Sequence, residues 1–153
     1  MKKIILLVCV LALPLFGWSQ SSSTRAKDFN LENNLAIKGY DPVAYFNQKK
    51  AIKGKKELAQ THQGVTYYFS SNENKEAFLK NPETYEPQYG GWCAFAIGDD
   101  NKKVPINPET FKIVDGKLYL FDNAYFNNTL KSWNKNESQL KAQADKNWQA
   151  IIN

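Results

Sequence analysis

The chain has few of the side chains that catalytic and metal sites most often use. Its 153 residues include two cysteines, Cys9 and Cys93, and one histidine, His62. An intramolecular disulfide, or a thioredoxin-like cycle, needs two thiols in the mature chain. Cys9 lies in a segment that we expect to be removed, so the sequence excludes both for the mature protein.

The chain also has little net charge. The formal value is +5, from 20 basic and 15 acidic residues. Without Lys2 and Lys3 it is +3, from 18 basic against 15 acidic residues. The basic residues are spread along the chain and no basic-aromatic motif accompanies them, so nucleic acid is not an expected partner.

Residues 1–19 have the pattern of an export signal. Lys2 and Lys3 precede an apolar run over residues 4–16, and small residues follow it. The run is shorter than the ~20 apolar residues that span a bilayer, so no stable membrane anchor is expected after cleavage. Cleavage before Gln20 would give a periplasmic or secreted protein.

The remaining chain has the length of one domain. Because residues 21–30 are small and polar, we expect a flexible leader over residues 20–35 and a single domain over residues 36–153. The class that the patterns predict is α+β, a small domain of short antiparallel hairpins packed with helices.

Local signals support that class. Apolar residues alternate over residues 65–69, which predicts a half-buried strand, and Asp115-Gly116 between two apolar runs predicts a β-hairpin. Ser70 and Glu73 have the spacing of a capping box, with Ser70 as the N-cap of a helix that ends before Pro82. Two further helical faces are predicted near the C-terminus: Phe126, Leu130 and Trp133, then Leu140, Ala144, Trp148 and Ile151.

The most distinctive stretch is residues 85–96, which combines aromatic residues, two adjacent glycines and the one mature thiol. The glycines allow another group to approach the backbone closely. Cys93 could be a nucleophile, a redox group or a ligand, or a small buried hydrophobe between Trp92 and Phe95. The candidate ligand-binding residues here are Tyr89, Gly90, Gly91, Trp92 and Cys93.

Three residues elsewhere could assist the thiol. His62 is the histidine that a Cys93 nucleophile would need as its base, although a solvated side chain beside a turn is the alternative. Tyr40 and Asp41 could line a pocket beside Cys93; alternatively, Asp41 caps a turn and Tyr40 packs in the core.

Several segments, in order, resemble the YHS domain family, and more closely its exported branch of YHS domain-containing (seleno)proteins. They are Lys38-Gly39-Tyr40-Asp41-Pro42-Val43-Ala44-Tyr45-Phe46, Gly64-Val65-Thr66-Tyr67-Tyr68-Phe69 and Pro87-Gln88-Tyr89-Gly90-Gly91-Trp92-Cys93-Ala94. The resemblance implies a small, treble-clef-like α+β core associated with metal. Metal-type members are similar to a pattern with cysteines where this chain has Ala44, Ser70 and Asn74. Some members of the exported branch have selenocysteine in the Gly-Gly-aromatic-Cys motif, which implies a chemical use for Cys93.

The sequence therefore predicts an exported, thiol-bearing binding or redox module centred on Cys93. Its partner would be a small molecule, a thiol or a metal ion. A Cu or Zn ion held by Cys93 and His62 would bind weakly, because one thiol and one imidazole do not complete a tetrahedral site. The alternatives are a non-catalytic interaction domain that has lost the YHS metal site and a thiol-dependent oxidoreductase. Catalysis is not the main expectation.

Overall fold

The structure, a computed structural model, describes residues 22–153. The predicted signal segment and Cys9 lie outside these residues. Within them, no helix has the length and apolar character needed to cross a membrane.

The first sheet has four strands in the order β1-β2-β4-β3. The strands are β1 (Leu31–Glu32), β2 (Leu35–Ala36), β3 (Lys55–His62) and β4 (Val65–Phe69). The pair β2–β4 is parallel and the other two pairs are antiparallel. Along β4, Val65, Tyr67 and Phe69 are buried and the residues between them are half-buried. This confirms the alternation that predicted a strand.

Two hairpins follow. Strands β5 (Asn107–Val114) and β6 (Lys117–Phe121) are antiparallel, and β7 (Asn123–Ala124) pairs with β8 (Asn127–Asn128). Asp115 and Gly116 connect β5 to β6 with φ values of 51° and 71°. Two consecutive residues with positive φ are what a two-residue type I′ turn requires, so the Asp-Gly signal correctly predicted this hairpin.

The described part of the chain also has 3₁₀ helices at Ile37–Gly39 and Gln88–Gly91, and seven α-helices surround the strands. They are α1 (Ser22–Asp28), α2 (Ala44–Asn47), α3 (Asn72–Lys80), α4 (Pro82–Tyr85), α5 (Ala94–Asp100), α6 (Thr129–Trp133) and α7 (Glu137–Ile152). One hydrophobic cluster lies around β4 and α3, and a second lies between β6, α5, α6 and α7. Phe95 packs against both clusters, so they form one continuous core. The α+β class is confirmed.

The N-terminal segment differs from the expected leader. Residues 22–28 are helical, and residues 31–36 form β1 and β2 of the first sheet. Arg25 packs over the Phe29 ring and forms an ion pair with Glu86, and the indole N–H of Trp92 donates to the carbonyl of Asp28 at 2.6 Å. The contacts with Glu86 and Trp92 join residues about sixty positions apart, so local composition did not indicate them.

Two local predictions need correction. The N-cap of α3 is Ser71, whose hydroxyl accepts from the backbone N–H of Asn74 at 3.2 Å, whereas Ser70 is directed to another partner described below. Phe126 does not lie on a helix. With Tyr125 it forms the turn between β7 and β8, and both side chains are fully exposed. Tyr125 and Phe126 have φ values of 50° and 67°, so they form a tight turn where the apolar spacing suggested a helix.

Candidate functional site

A cleft of about 500 Å³ lies between α1, α7 and the segment 86–90. Its aromatic walls come from Phe29, Tyr89 and Trp148. The rings of Tyr89 and Trp148 are 6.2 Å apart and meet edge to face. The volume of this cleft lies within the range of small-ligand sites.

Charged groups of both signs line the same cleft. Arg25 and Glu86 form a largely buried ion pair, and the second oxygen of Glu86 accepts from the Tyr67 hydroxyl at 2.7 Å. The Tyr89 hydroxyl donates to Asp145 at 2.9 Å. Burial and this carboxylate raise the pKa of Tyr89, so it remains a hydrogen-bond donor at neutral pH. Lys117 also lines the cleft.

The paired glycines allow the close backbone approach that the sequence suggested, but the approaching group belongs to the chain itself. A Cβ on Gly90, where φ is +58°, would lie 3.1 Å from the Asp28 carbonyl oxygen. Asn30 donates its backbone N–H to the Gly90 carbonyl at 2.9 Å and its side-chain amide to the Gly91 carbonyl at 3.0 Å. The glycines therefore position the end of α1 against this segment.

Cys93 lies next to this segment in the sequence but not in the cleft. Its side chain is 0% exposed and belongs to the first hydrophobic cluster. The sulfur accepts from the backbone N–H of Asp122 at 3.3 Å and lies 3.4 Å from the Thr129 hydroxyl oxygen. The arrangement matches the alternative in which Cys93 is a buried core residue.

The other predicted site residues are separated from one another. The His62 ring packs edge to face on Phe78 at 6.0 Å, so no hydrogen bond joins it to the Cys93 sulfur in the described structure. The Tyr40 hydroxyl donates to Glu109 at 3.3 Å, and the Lys53 ammonium lies 5.8 Å from the Tyr40 ring centroid. Of the predicted ligand-binding residues, Tyr89 and Gly90 line the cleft, whereas Tyr40, Asp41, Gly91, Trp92 and Cys93 do not.

Asp41 is fully buried and accepts five hydrogen bonds. One carboxylate oxygen accepts from the backbone N–H groups of Val43 at 2.9 Å and Ala44 at 3.3 Å. The other accepts from the Ser70 N–H at 2.8 Å, the Ser70 hydroxyl at 2.6 Å and the Asn74 amide at 2.7 Å. Asp41 thus orders the turn into α2, as the capping alternative predicted, and also contacts the end of β4 and the start of α3.

The donor set around Asp41 does not suit a transition metal. Zn and Cu favour thiolate and imidazole ligands, whereas Ala44 has no ligand atom and Ser70 and Asn74 direct hydrogens at the carboxylate. Across residues 22–153, no cluster of three or more His, Cys, Asp or Glu side chains could hold a metal ion. Metal binding through Cys93 and His62 remains a prediction from the sequence.

A small α+β domain with a polar, aromatic-walled cleft is a binding module in general terms. Residues 43–89 match the family model of the YHS domain, and this part of the chain is a YHS domain. The family resemblance is therefore confirmed, while membership of the exported branch remains a prediction. Neither the curated proteins nor the solved structures include a significant match to the chain.

Sequence reasoning identified part of the cleft and missed the rest. Tyr89 and Gly90 were candidates because of their unusual local sequence. Phe29, Asp145 and Trp148 lie at opposite ends of the chain, and only the fold brings them to Tyr89. The sequence pattern predicts Trp148 on the apolar face of a helix, and such a position gives no indication of a ligand cleft.

Proposed function

We propose that this protein is a non-enzymatic binding module that holds a small amphipathic ligand in the cleft of α1, α7 and segment 86–90. The cleft itself is the observation that carries the proposal. It combines aromatic surface with fixed charges, and it includes the end of the YHS match. Export to the periplasm or the outside, as the N-terminus predicts, belongs to the same proposal.

The charges in the cleft favour a zwitterion. Arg25 and Glu86 are already paired, which leaves Lys117 for an anionic group and Asp145 and Glu83 for a cationic group. The apolar surfaces of Phe29 and Trp148, which line the cleft, would contact an apolar side chain. A short peptide with free termini has this distribution of charge and apolar surface.

The thiol-centred version of the function, redox or ligand binding at Cys93, has less support. A reactive thiol has to reach its partner, and Cys93 is 0% exposed. The same burial weakens the case for a thiol-dependent oxidoreductase. We therefore favour the alternative in which a YHS-like domain binds without thiol chemistry.

Tryptophan fluorescence tests the proposal, because Trp148 lies in the cleft. The purified chain would be titrated with di- and tripeptides containing an aromatic residue, each with free termini, N-acetylated or C-amidated. We expect saturable changes with free termini, at least tenfold weaker binding after either modification, and loss of binding in Lys117→Gln and Asp145→Asn. Lys56→Gln, an exposed lysine on β3 outside the cleft, is the matched control. Equal binding of blocked and free peptides, or no saturable change with any of them, would contradict the proposal.

A further inference from the structure

The carboxylate of Asp41 connects three segments that are distant in the sequence. The turn before α2, the first residue after β4 and the first turn of α3 all donate hydrogen bonds to it. The side chain is 0% exposed, and the ion pairs within residues 22–153 do not include it. Its negative charge is therefore balanced by N–H and O–H donors rather than by a cation.

Such a centre is stable because every donor is directed at the charge. An isolated buried carboxylate is very costly, whereas hydrogen bonds to an ionised group are shorter and stronger than neutral ones. Three of the five donors come from Ser70 and Asn74 and lie 2.6–2.8 Å from one oxygen. Asn74 is itself positioned by Ser71, which accepts its backbone N–H.

The identity of these donors has a consequence for the YHS domain. The family resemblance implies that metal-type members have cysteines where this chain has Ala44, Ser70 and Asn74. In this chain all three residues donate to one carboxylate. A metal centre is a cation surrounded by electron-pair donors. Here the polarity is reversed, because an anion is surrounded by hydrogen-bond donors. A cation could bind only by displacing those hydrogens from the carboxylate lone pairs.

We propose that the Asp41 carboxylate replaces a metal ion as the structural centre of this YHS domain. The domain then needs no metal at this place to connect α2, β4 and α3. This inference is independent of the ligand cleft, since neither Asp41 nor its partners line it.

Thermal unfolding of the full chain tests the structural role. Asp41→Asn keeps the shape but places an amide N–H₂ against existing donors, so we expect the midpoint to fall by about 6–12 °C. Ser70→Ala and Asn74→Ala each remove one donor and should lower it by about 2–6 °C. Asp99→Asn, an exposed carboxylate, is the matched control and should leave it within about 2 °C. A midpoint for Asp41→Asn equal to that of the control would overturn the proposal.

Metal addition tests the replacement itself. The wild-type midpoint should not change with EDTA or with equimolar Zn²⁺. A rise with Zn²⁺ that Asp41→Asn abolishes would show that the centre binds metal, and would overturn the proposal. Ser70→Cys/Asn74→Cys places two thiols near Asp41, because the Ser70 hydroxyl and the Asn74 amide both contact its carboxylate. We expect Zn²⁺ to raise its midpoint by about 5 °C or more under reducing conditions, through preferential binding to the folded state.

The double variant is informative even if it is unstable. A variant that folds only with Zn²⁺ supports the proposal. The ion would then connect the end of β4 to α3, as the hydrogen bonds from Ser70 and Asn74 to Asp41 do in the wild type. A double variant that Zn²⁺ neither folds nor stabilises would mean that these positions do not form a metal-capable centre. Asp41 would then be an ordinary buried carboxylate, whatever the outcome for the ligand cleft.

Discussion

The Cys93 sulfur takes part in hydrogen bonds with Thr129 and Asp122. The Thr129 hydroxyl has one hydrogen, which it donates to the Asp122 carbonyl at 2.8 Å. Its contact with the sulfur therefore requires the S–H to donate, while the Asp122 N–H donates back to the sulfur. The three groups therefore form a closed ring of hydrogen bonds inside the core.

This ring predicts the ranking of substitutions at Cys93. Cys93→Ala removes both a donor and an acceptor inside the core, and we expect it to lower the free energy of unfolding by about 1–3 kcal/mol. Cys93→Ser preserves the pattern of donors and should cost less than Cys93→Ala. Urea unfolding measures both. A larger loss for serine than for alanine would show that the site tolerates only an apolar group.

Burial also predicts the reactivity of the thiol. Ellman's reagent should modify Cys93 only at the rate at which the chain opens, so the rate should rise with urea in parallel with unfolding. The control is Ser132→Cys, which places a half-buried thiol on α6 and should react faster than Cys93. A cysteine at Ala44 would not serve as a control, because Ala44 is also buried. Fast modification of the native wild type would restore the thiol-centred function.

The elements that the sequence predicted well are those with local causes. The alternation in β4 and the Asp115-Gly116 turn are properties of a few consecutive residues, and both were found as expected. Helix α1 could not be predicted, because its sequence is polar and its stability comes from Glu86 and Trp92. Phe126 is misplaced for a related reason: its spacing fits a helix, but Tyr125 and Phe126 adopt the positive φ values of a tight turn between β7 and β8. Most of the cleft was missed because it depends on α1 and α7 together.

The packing of α5 against α7 depends on Gly98. A Cβ there would lie 2.6 Å from the Leu140 carbonyl oxygen, a backbone atom that cannot move aside without moving α7. Gly98→Ala should therefore lower the free energy of unfolding by about 1–3 kcal/mol, although alanine is the better helix former. Gln143→Ala, on the exposed face of α7, is the control for helix propensity. A stabilised Gly98→Ala would mean that the two helices are not in close contact.

The attachment of α1 to the domain depends on Arg25. Its guanidinium contacts Phe29 and the buried Glu86, and it also donates to the His62 carbonyl at 3.3 Å. Arg25→Met would leave Glu86 without its cation, so we expect faster hydrogen exchange at the Asn30 amide, which bonds the Gly90 carbonyl. Lys27→Met, an exposed cation on the same helix, should leave that exchange rate unchanged. If both variants exchange alike, other contacts position α1.

The combined core of the domain contains tyrosines whose hydroxyls have defined partners. Tyr45 donates to the Pro108 carbonyl at 2.8 Å, Tyr67 to Glu86 and Tyr89 to Asp145. Burial is the main cause that raises the pKa of each, and neighbouring carboxylates add to it. Burial also raises the pKa of Tyr119. Tyr45 and Tyr67 belong to the first hydrophobic cluster, and Tyr89 and Tyr119 belong to the second. The protonation of these tyrosines is therefore linked to the folding of the whole domain.

Alkaline pH should therefore unfold the domain cooperatively. Because the folded pKa of these tyrosines exceeds the unfolded value of ~10, their contribution to stability is complete below pH ~10 and is lost as pH rises towards the folded values. Each tyrosine should add a slope of ~1.4 kcal/mol per pH unit. Tyrosinate absorbance and circular dichroism should then change together, and Tyr45→Phe should reduce the slope while Tyr125→Phe, with its ring 98% exposed, should not. Ionisation of the buried tyrosines well before the loss of circular dichroism would show that the two clusters open to solvent while the secondary structure persists.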